Sequence, residues 1–233
     1  MFGEPEQYRH EFKYEIDDLQ LQMLKMKLPS VMELDSHVAR QGRYQIRSLY
    51  FDDFYNSCYY ENENGTDPRE KFRIRIYNGS LDRIQLELKR KEAGKTLKKS
   101  CPLNREQLER LVNGERFLWQ EDMHPLLKKL YILQETKGMR PKVIVEYERI
   151  PYIHDDGNVR VTLDLDVRAS SNIKSFINPQ TDCRPIMPCG KQLLEVKYDN
   201  FLPDWIYRTV QMKGLRQTAF SKYYLCRKFG GNL

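Results

Sequence analysis

Nine basic side chains recur at alternating positions in short runs of this chain: Arg9, Lys13, Arg47, Arg73, Arg75, Lys89, Lys98, Arg160 and Lys197. Arginine forks and lysine ammonium groups are the side chains suited to phosphate oxygens. Several together match a tri- or polyphosphate, and packed into one cavity without an anion they would repel one another. Carboxylates occupy the same kind of run: Glu11, Glu87, Glu146, Asp164, Asp166 and Glu195. Mg²⁺ and Mn²⁺ prefer oxygen ligands and are commonly held by one or two carboxylates plus substrate phosphates. Glu195, Glu11 and Glu87 are therefore candidate metal ligands. Glu195, two residues before Lys197, is placed to share a metal-bridged phosphate with that lysine. Ordinary cross-strand Glu–Lys pairs, or a solvated sheet face, explain any single run as well or better. Taken jointly, the runs point to charged faces converging on an anion, because the apolar faces must pack somewhere and helices can cover them.

The elements that must position these groups are strands. In Arg9-His10-Glu11-Phe12-Lys13-Tyr14, Phe72-Arg73-Ile74-Arg75-Ile76 and Leu86-Glu87-Leu88-Lys89, charges alternate with apolar residues. Arg160–Asp166 and Leu194–Lys197 repeat the pattern. Successive side chains on a strand point to opposite faces. Further strands are expected at 46–51, 71–77, 83–90, 96–101, 142–149, 158–168 and 192–198, with Asn78-Gly79-Ser80 as a hairpin turn. Helices are expected from the Asp17-Asp18 cap to about Leu28, over 104–112 behind Asn104 and Gln107, and over 122–137. Two more are expected from Asp204 to about Lys213 and from near Thr218 or Ser221. The segments Asn62–Pro68 and 170–190 read as loop. With no internal repeat or linker, residues 1–233 read as one α+β domain on a closed or nearly closed antiparallel sheet.

Composition removes several alternatives. Over 233 residues, 39 Lys+Arg against 33 Asp+Glu give a net charge of +6, which permits an anionic partner without singling out nucleic acid. Five cysteines without a CxxC pair, and histidines without HxxxH spacing, give no zinc pattern and read as free thiols of a reducing cytosol. The N-terminus has no signal-peptide pattern, and no apolar run is long enough to span a bilayer. No Walker-type loop or kinase signature set is present. His124, ahead of Pro125, and the Tyr59-Tyr60 and Tyr223-Tyr224 pairs read as structural.

The ordered series Arg9–Tyr14, Ser48-Leu49-Tyr50-Phe51-Asp52, Lys71–Arg75, Leu86–Lys89, Lys95-Thr96-Leu97-Lys98, Val159–Asp164, Leu194–Tyr198 and Phe220-Ser221-Lys222-Tyr223 resembles a known family. It is similar to the polyphosphate polymerase domain of the vacuolar transporter chaperone (VTC) complex, a triphosphate tunnel metalloenzyme related to CYTH proteins. The resemblance implies an eight-stranded antiparallel β tunnel with helices packed on the outside. It implies phosphate binding by Lys13, Arg73, Arg75, Lys89, Lys98, Arg160, Lys197 and Lys222, and Mn²⁺ or Mg²⁺ binding by Glu195. Lys13, Lys197 and Lys222 would stabilise charge on the transferring group. Tyr147-Glu148-Arg149 resembles a family segment and adds Arg149, whose parity leaves either it or Glu146 facing the tunnel. Ala219 stands where some members carry a lysine. The implied activity is transfer of the ATP γ-phosphoryl to inorganic polyphosphate, with a tripolyphosphatase or nucleoside triphosphatase, or a non-catalytic polyphosphate-binding module, as alternatives. The single-domain form resembles bacterial members. It implies a cytoplasmic protein that reaches the membrane through a separately encoded membrane-protein partner.

Overall fold

The computed structural model describes residues 7–38 and 42–229. Strand β1 (Arg9–Asp17) leads into helix α1 (Asp18–Lys27), a two-residue strand β2 (Glu33–Leu34) and the longer β3 (Tyr44–Asp52). Helix α2 (Ser57–Glu63) precedes a meander of β4 (Arg69–Tyr77), β5 (Ser80–Glu92) and β6 (Lys95–Leu103). Helices α3 (Arg105–Val112) and α4 (Pro125–Lys137) follow, then β7 (Arg140–His154) and β8 (Val159–Ser170). A short β9 (Arg184–Pro185), β10 (Lys191–Tyr198), α5 (Asp204–Val210) and α6 (Lys222–Phe229) complete the described chain.

Local chemistry sets several of these boundaries. Asp17 with Gln20, and Asn104 with Gln107, form reciprocal capping boxes that satisfy the first free N–H groups of α1 and α3. Asn78 and Gly79 both take positive φ and turn the β4–β5 hairpin, as an Asn-Gly pair favours. Helix α2 has no counterpart among the expected helices, and its last two residues, Asn62 and Glu63, fall in the segment expected to be loop. Its first N–H groups are capped from a distance: Asp53 accepts from Ser57 N, and Asp52 accepts from Cys58 N and Tyr59 N. A cap supplied from the end of β3 leaves no signature beside the helix itself.

Among the described residues, eight antiparallel strands close into a barrel in the order β7-β3-β4-β5-β6-β1-β10-β8, with β8 returning to β7. β2 and β9 extend the pairing at β7 and β8. The expected closed eight-stranded tunnel with external helices is the fold observed. Alternation sends every second side chain outward. Over β3 to β6 the outward residues Leu49, Ile74, Leu86 and Leu88 pack under Leu108 and Leu111 of α3 and Leu127 and Leu130 of α4. Over β1, β8 and β10, Ile16, Leu163, Leu194 and Val196 pack under α1 and α5 through Leu24, Ile206 and Val210. A third cluster joins Tyr50, Val143, Val145, Val167 and Ala169 to Tyr223 and Cys226 of α6. Tyr50 and Tyr147 belong both to this cluster and to the cavity wall, so it borders the barrel interior. Among the described residues no helix is long and apolar enough to cross a membrane.

Candidate functional site

The barrel encloses a cavity of about 600 Å³. Its wall is the inward set of the alternation. β4 contributes Arg69, Lys71, Arg73 and Arg75, and β5 and β6 contribute Lys89, Lys91 and Lys98. From β1 come Arg9, Glu11 and Lys13, and from β10 Glu195 and Lys197. Arg149 of β7 and Arg160 of β8 complete the strands' share, while the segment Gln217–Tyr223 carries Lys222 into the same space.

The antiparallel register of β1 and β10 sets Lys13 opposite Glu195 and Glu11 opposite Lys197. Lys13 Nζ lies 2.8 Å from Glu11 and 3.5 Å from Glu195, and Lys197 Nζ lies 2.7 Å from Glu195 Oε1. Lys89 reaches Glu11 at 2.6 Å. Burial opposes charge on these carboxylates, but the facing lysines outweigh it and hold both well below the usual carboxylate range. Burial likewise opposes charge on Lys13, and Glu11 and Glu195 reverse the balance and raise it. For Lys89 burial wins, and the ammonium is pushed down to about 7.

Two further carboxylates brace the arginines. Asp164, fully buried, receives the Arg149 fork at 2.6 and 2.8 Å and Lys222 Nζ at 2.5 Å. Glu87 receives Arg73 Nη2 at 2.6 Å and stands 3.8 Å from Arg75 and 3.6 Å from Lys98. Tyrosine hydroxyls fix the same guanidinium groups: Arg73 donates to Tyr50 Oη at 2.9 Å and Arg75 to Tyr147 Oη at 3.3 Å. At the periphery Arg160 pairs with Asp35 at 2.9 Å and Arg9 with Asp199 at 2.7 Å.

Two sequence expectations are corrected and one open alternative is resolved. Arg47, expected to bind phosphate, lies outside the cavity with 1% of its surface exposed. Tyr50 faces the interior, so Arg47, three residues away, takes the opposite parity; it donates to Glu146 at 2.8 Å and to the carbonyls of Phe176 and Asn178. Arg47→Met is therefore expected to leave triphosphate affinity within about twofold of wild type. By stranding the buried Glu146 it should cost about 3–5 kcal/mol in denaturant unfolding. Glu87, expected as a metal ligand, does not line the cavity, because Arg73 and Arg75 take its oxygens. Of Glu146 and Arg149, it is Arg149 that lines the cavity, since the extra residue of the β7–β8 bulge lies on β8, at Asp166. Sequence reasoning omitted Arg69, Lys71 and Lys91, although they extend the alternation of 73, 75 and 89 by one or two steps.

Among the described residues no group of three or more His, Cys, Asp and Glu side chains is gathered as a metal site. The carboxylates lining the cavity are Glu11 and Glu195, and Glu195 Oε1 is buried with Lys197 Nζ 2.7 Å away. Two ionised carboxylates facing one cavity fit a hard cation that displaces their lysines and completes its shell with phosphate oxygens.

Residues 8–229 match the family described as the VTC domain. The chain belongs to the VTC domain family. This VTC domain is also similar to a Bacillus halodurans protein assigned as an adenylate cyclase, at 12% identity, 88% coverage of this chain, 87% of that chain and a TM-score of 0.51. A second similar structure is the Hippeastrum adenylyl cyclase candidate HpAC1, described as having a dominant triphosphatase activity. It is 14% identical, with 97% of each chain covered and a TM-score of 0.54. At such identities the likeness is one of fold. No curated protein matches this VTC domain in sequence.

Proposed function

We propose that this VTC domain is a metal-dependent phosphotransferase that binds ATP in its barrel and extends inorganic polyphosphate. The charge of the cavity supports this most directly. Thirteen Lys and Arg side chains line it against two carboxylates. Asp35, Glu87, Asp164 and Asp199 pair with members of that set, which leaves seven positive charges in excess when every lysine is protonated. Buried like charges repel strongly at low dielectric, so the wall is best satisfied by a ligand of high negative charge.

Arg73, Arg75 and Arg149 are held in fixed orientations by carboxylates and tyrosines and would present their forks to the phosphate chain. Lys89, Lys98, Arg9 and Arg160 add charge along it. Lys13 and Lys197 touch Glu195, and Lys222 shares Asp164 with Arg149, so the three would neutralise charge on the transferring phosphoryl. Glu195 and Glu11 would hold Mn²⁺ or Mg²⁺, which when bound supplies charge neutralisation at the β- and γ-phosphates. A terminal oxygen of the acceptor polyphosphate attacks the γ-phosphorus as the bond to the bridging oxygen breaks, and ADP leaves with that bonding pair. No side-chain nucleophile takes part.

Water as acceptor gives a second reading, a triphosphatase, favoured by Ala219, which lines the cavity where a further cation would hold an acceptor phosphate. The description of HpAC1 names that chemistry for a protein of the same fold. Incubation with ATP and Mn²⁺ separates the two. Long-chain polyphosphate on a gel is the expected result; orthophosphate without polymer would replace the polymerase by the hydrolase.

A further inference from the structure

One hydroxyl on the cavity wall has no part in chain extension. Ser221 lines the cavity between Phe220, whose carbonyl accepts from Lys13 Nζ at 3.0 Å, and Lys222. Lysines assigned to the transferring phosphoryl are therefore attached to both of its neighbours. Ser221 Oγ and Lys71 Nζ are 3.2 Å apart. Lys71 also donates to Asn62 Oδ1 at 2.8 Å, and among the described residues no carboxylate comes within 4.0 Å of it. Burial, helped by Arg69 and Lys13 and opposed by Cys58 and Asp52, pushes the Lys71 ammonium down to about 7. As a free amine, Lys71 keeps an N–H for Asn62 and turns its lone pair to the Ser221 hydroxyl. A serine within hydrogen-bond reach of a neutral lysine is an activated nucleophile. Ser221 also caps α6, since Tyr224 N donates to its Oγ at 3.3 Å and Leu225 N to its carbonyl at 3.0 Å. Capping alone asks for neither the cavity nor the lysine, and asparagine caps a helix as well as serine does.

We propose that Ser221 is itself a phosphoryl acceptor, taking the γ-phosphoryl of ATP when the barrel holds no polyphosphate chain, with Lys71 as the base. Ser221 Oγ bonds to the γ-phosphorus while the bond from that phosphorus to the β–γ bridging oxygen breaks. ADP leaves with the bonding pair, and the hydroxyl proton passes to the Lys71 amine. The phosphoserine so formed stands at the N-terminus of α6 beside Lys71 and Lys222, a setting that suits its charge. It also offers a terminal phosphate oxygen of the kind that chain extension needs. The proposal rests on phosphate binding in the barrel, as argued above, and holds whether polyphosphate or water is the other acceptor.

The test is mass spectrometry of the denatured protein after incubation with ATP and Mn²⁺ and no added polyphosphate, followed by sequencing of the modified peptide. Wild type should carry one phosphoryl group or more on Ser221, retained in acid as a serine ester is. Ser221→Asn, which keeps a capping oxygen, should carry none. Lys71→Arg keeps the positive charge but cannot take the proton, and should slow the labelling about 10²-fold. Excess inorganic triphosphate, a competing acceptor, should suppress the labelling of wild type. A wild type that makes polymer yet stays unmodified, or is modified at another residue, would overturn the proposal and leave the polymerase standing. Phosphate on Ser221 with orthophosphate and no polymer would support the acceptor and sink the polymerase. Labelling as fast in Lys71→Arg as in wild type would overturn the pairing of serine and base. A wild type that neither binds triphosphate nor becomes labelled would overturn the barrel-binding reading and this proposal with it.

Discussion

Glu195→Gln is expected to lower turnover of ATP by about 10²–10³-fold while metal-free polyphosphate binding stays equal or tightens. The two readouts separate because Glu195 plays opposite parts in them. Toward the anion alone it is a like charge, set 2.7 Å from Lys197 and 3.5 Å from Lys13, and its removal frees both lysines for phosphate. Toward a divalent ion it is, with Glu11, half of the carboxylate donor pair facing the cavity. Steady-state kinetics at saturating Mn²⁺, set beside calorimetry without metal, measure the two effects on one protein. A variant that loses binding and turnover together would mean that Glu195 only organises the lysines.

Asp164→Asn should cost about 3–5 kcal/mol of stability, the largest loss expected from one conservative change in the barrel. The carboxylate is fully buried and answers two cations, Arg149 through a fork and Lys222 at 2.5 Å. The amide keeps the shape and leaves those cations facing each other. Triphosphate should restore part of the loss, raising the melting temperature of the variant more than that of wild type, because it supplies the missing negative charge. Burial disfavours the Asp164 charge, but Arg149 and Lys222 prevail and lower its pKa. The stabilisation is therefore present above an unfolded-state pKa of about 4 and lost at lower pH as the group protonates, so the variant should show less acid sensitivity. A variant as stable as wild type would remove Asp164 from the account of how the arginine is held.

Arg73, Arg75, Lys89 and Lys197 were legible as a charged face because their strands have one polar and one apolar side, and alternation then gives parity directly. β3 has no such contrast. Its interior face carries Ile46 and Tyr50 and its exterior Leu49 and Phe51, all buried, so a lone Arg47 could be put on either side. Glu87 and Glu195 are alike in local pattern. Their different parts come from the strand opposite, Arg73 in one case and Lys13 in the other, and register is a non-local property. Lys222 enters from a helix near the chain's end, held by Asp164 far away in sequence, and only the family resemblance pointed to it. Arg69, Lys71 and Lys91 obey the same alternation; Arg69 and Lys91 lie just past the expected strands, and Lys71 is the first residue of one, where its side is hardest to assign.

The crystal structure of the protein with inorganic triphosphate and Mn²⁺, with the metal placed by its anomalous signal, tests phosphate binding inside the barrel most directly. The phosphates are expected within hydrogen-bond distance of Arg73, Arg75 and Lys13, with the metal on Glu195 and Glu11. Triphosphate bound on the outer surface, or metal held away from both glutamates, would contradict the account.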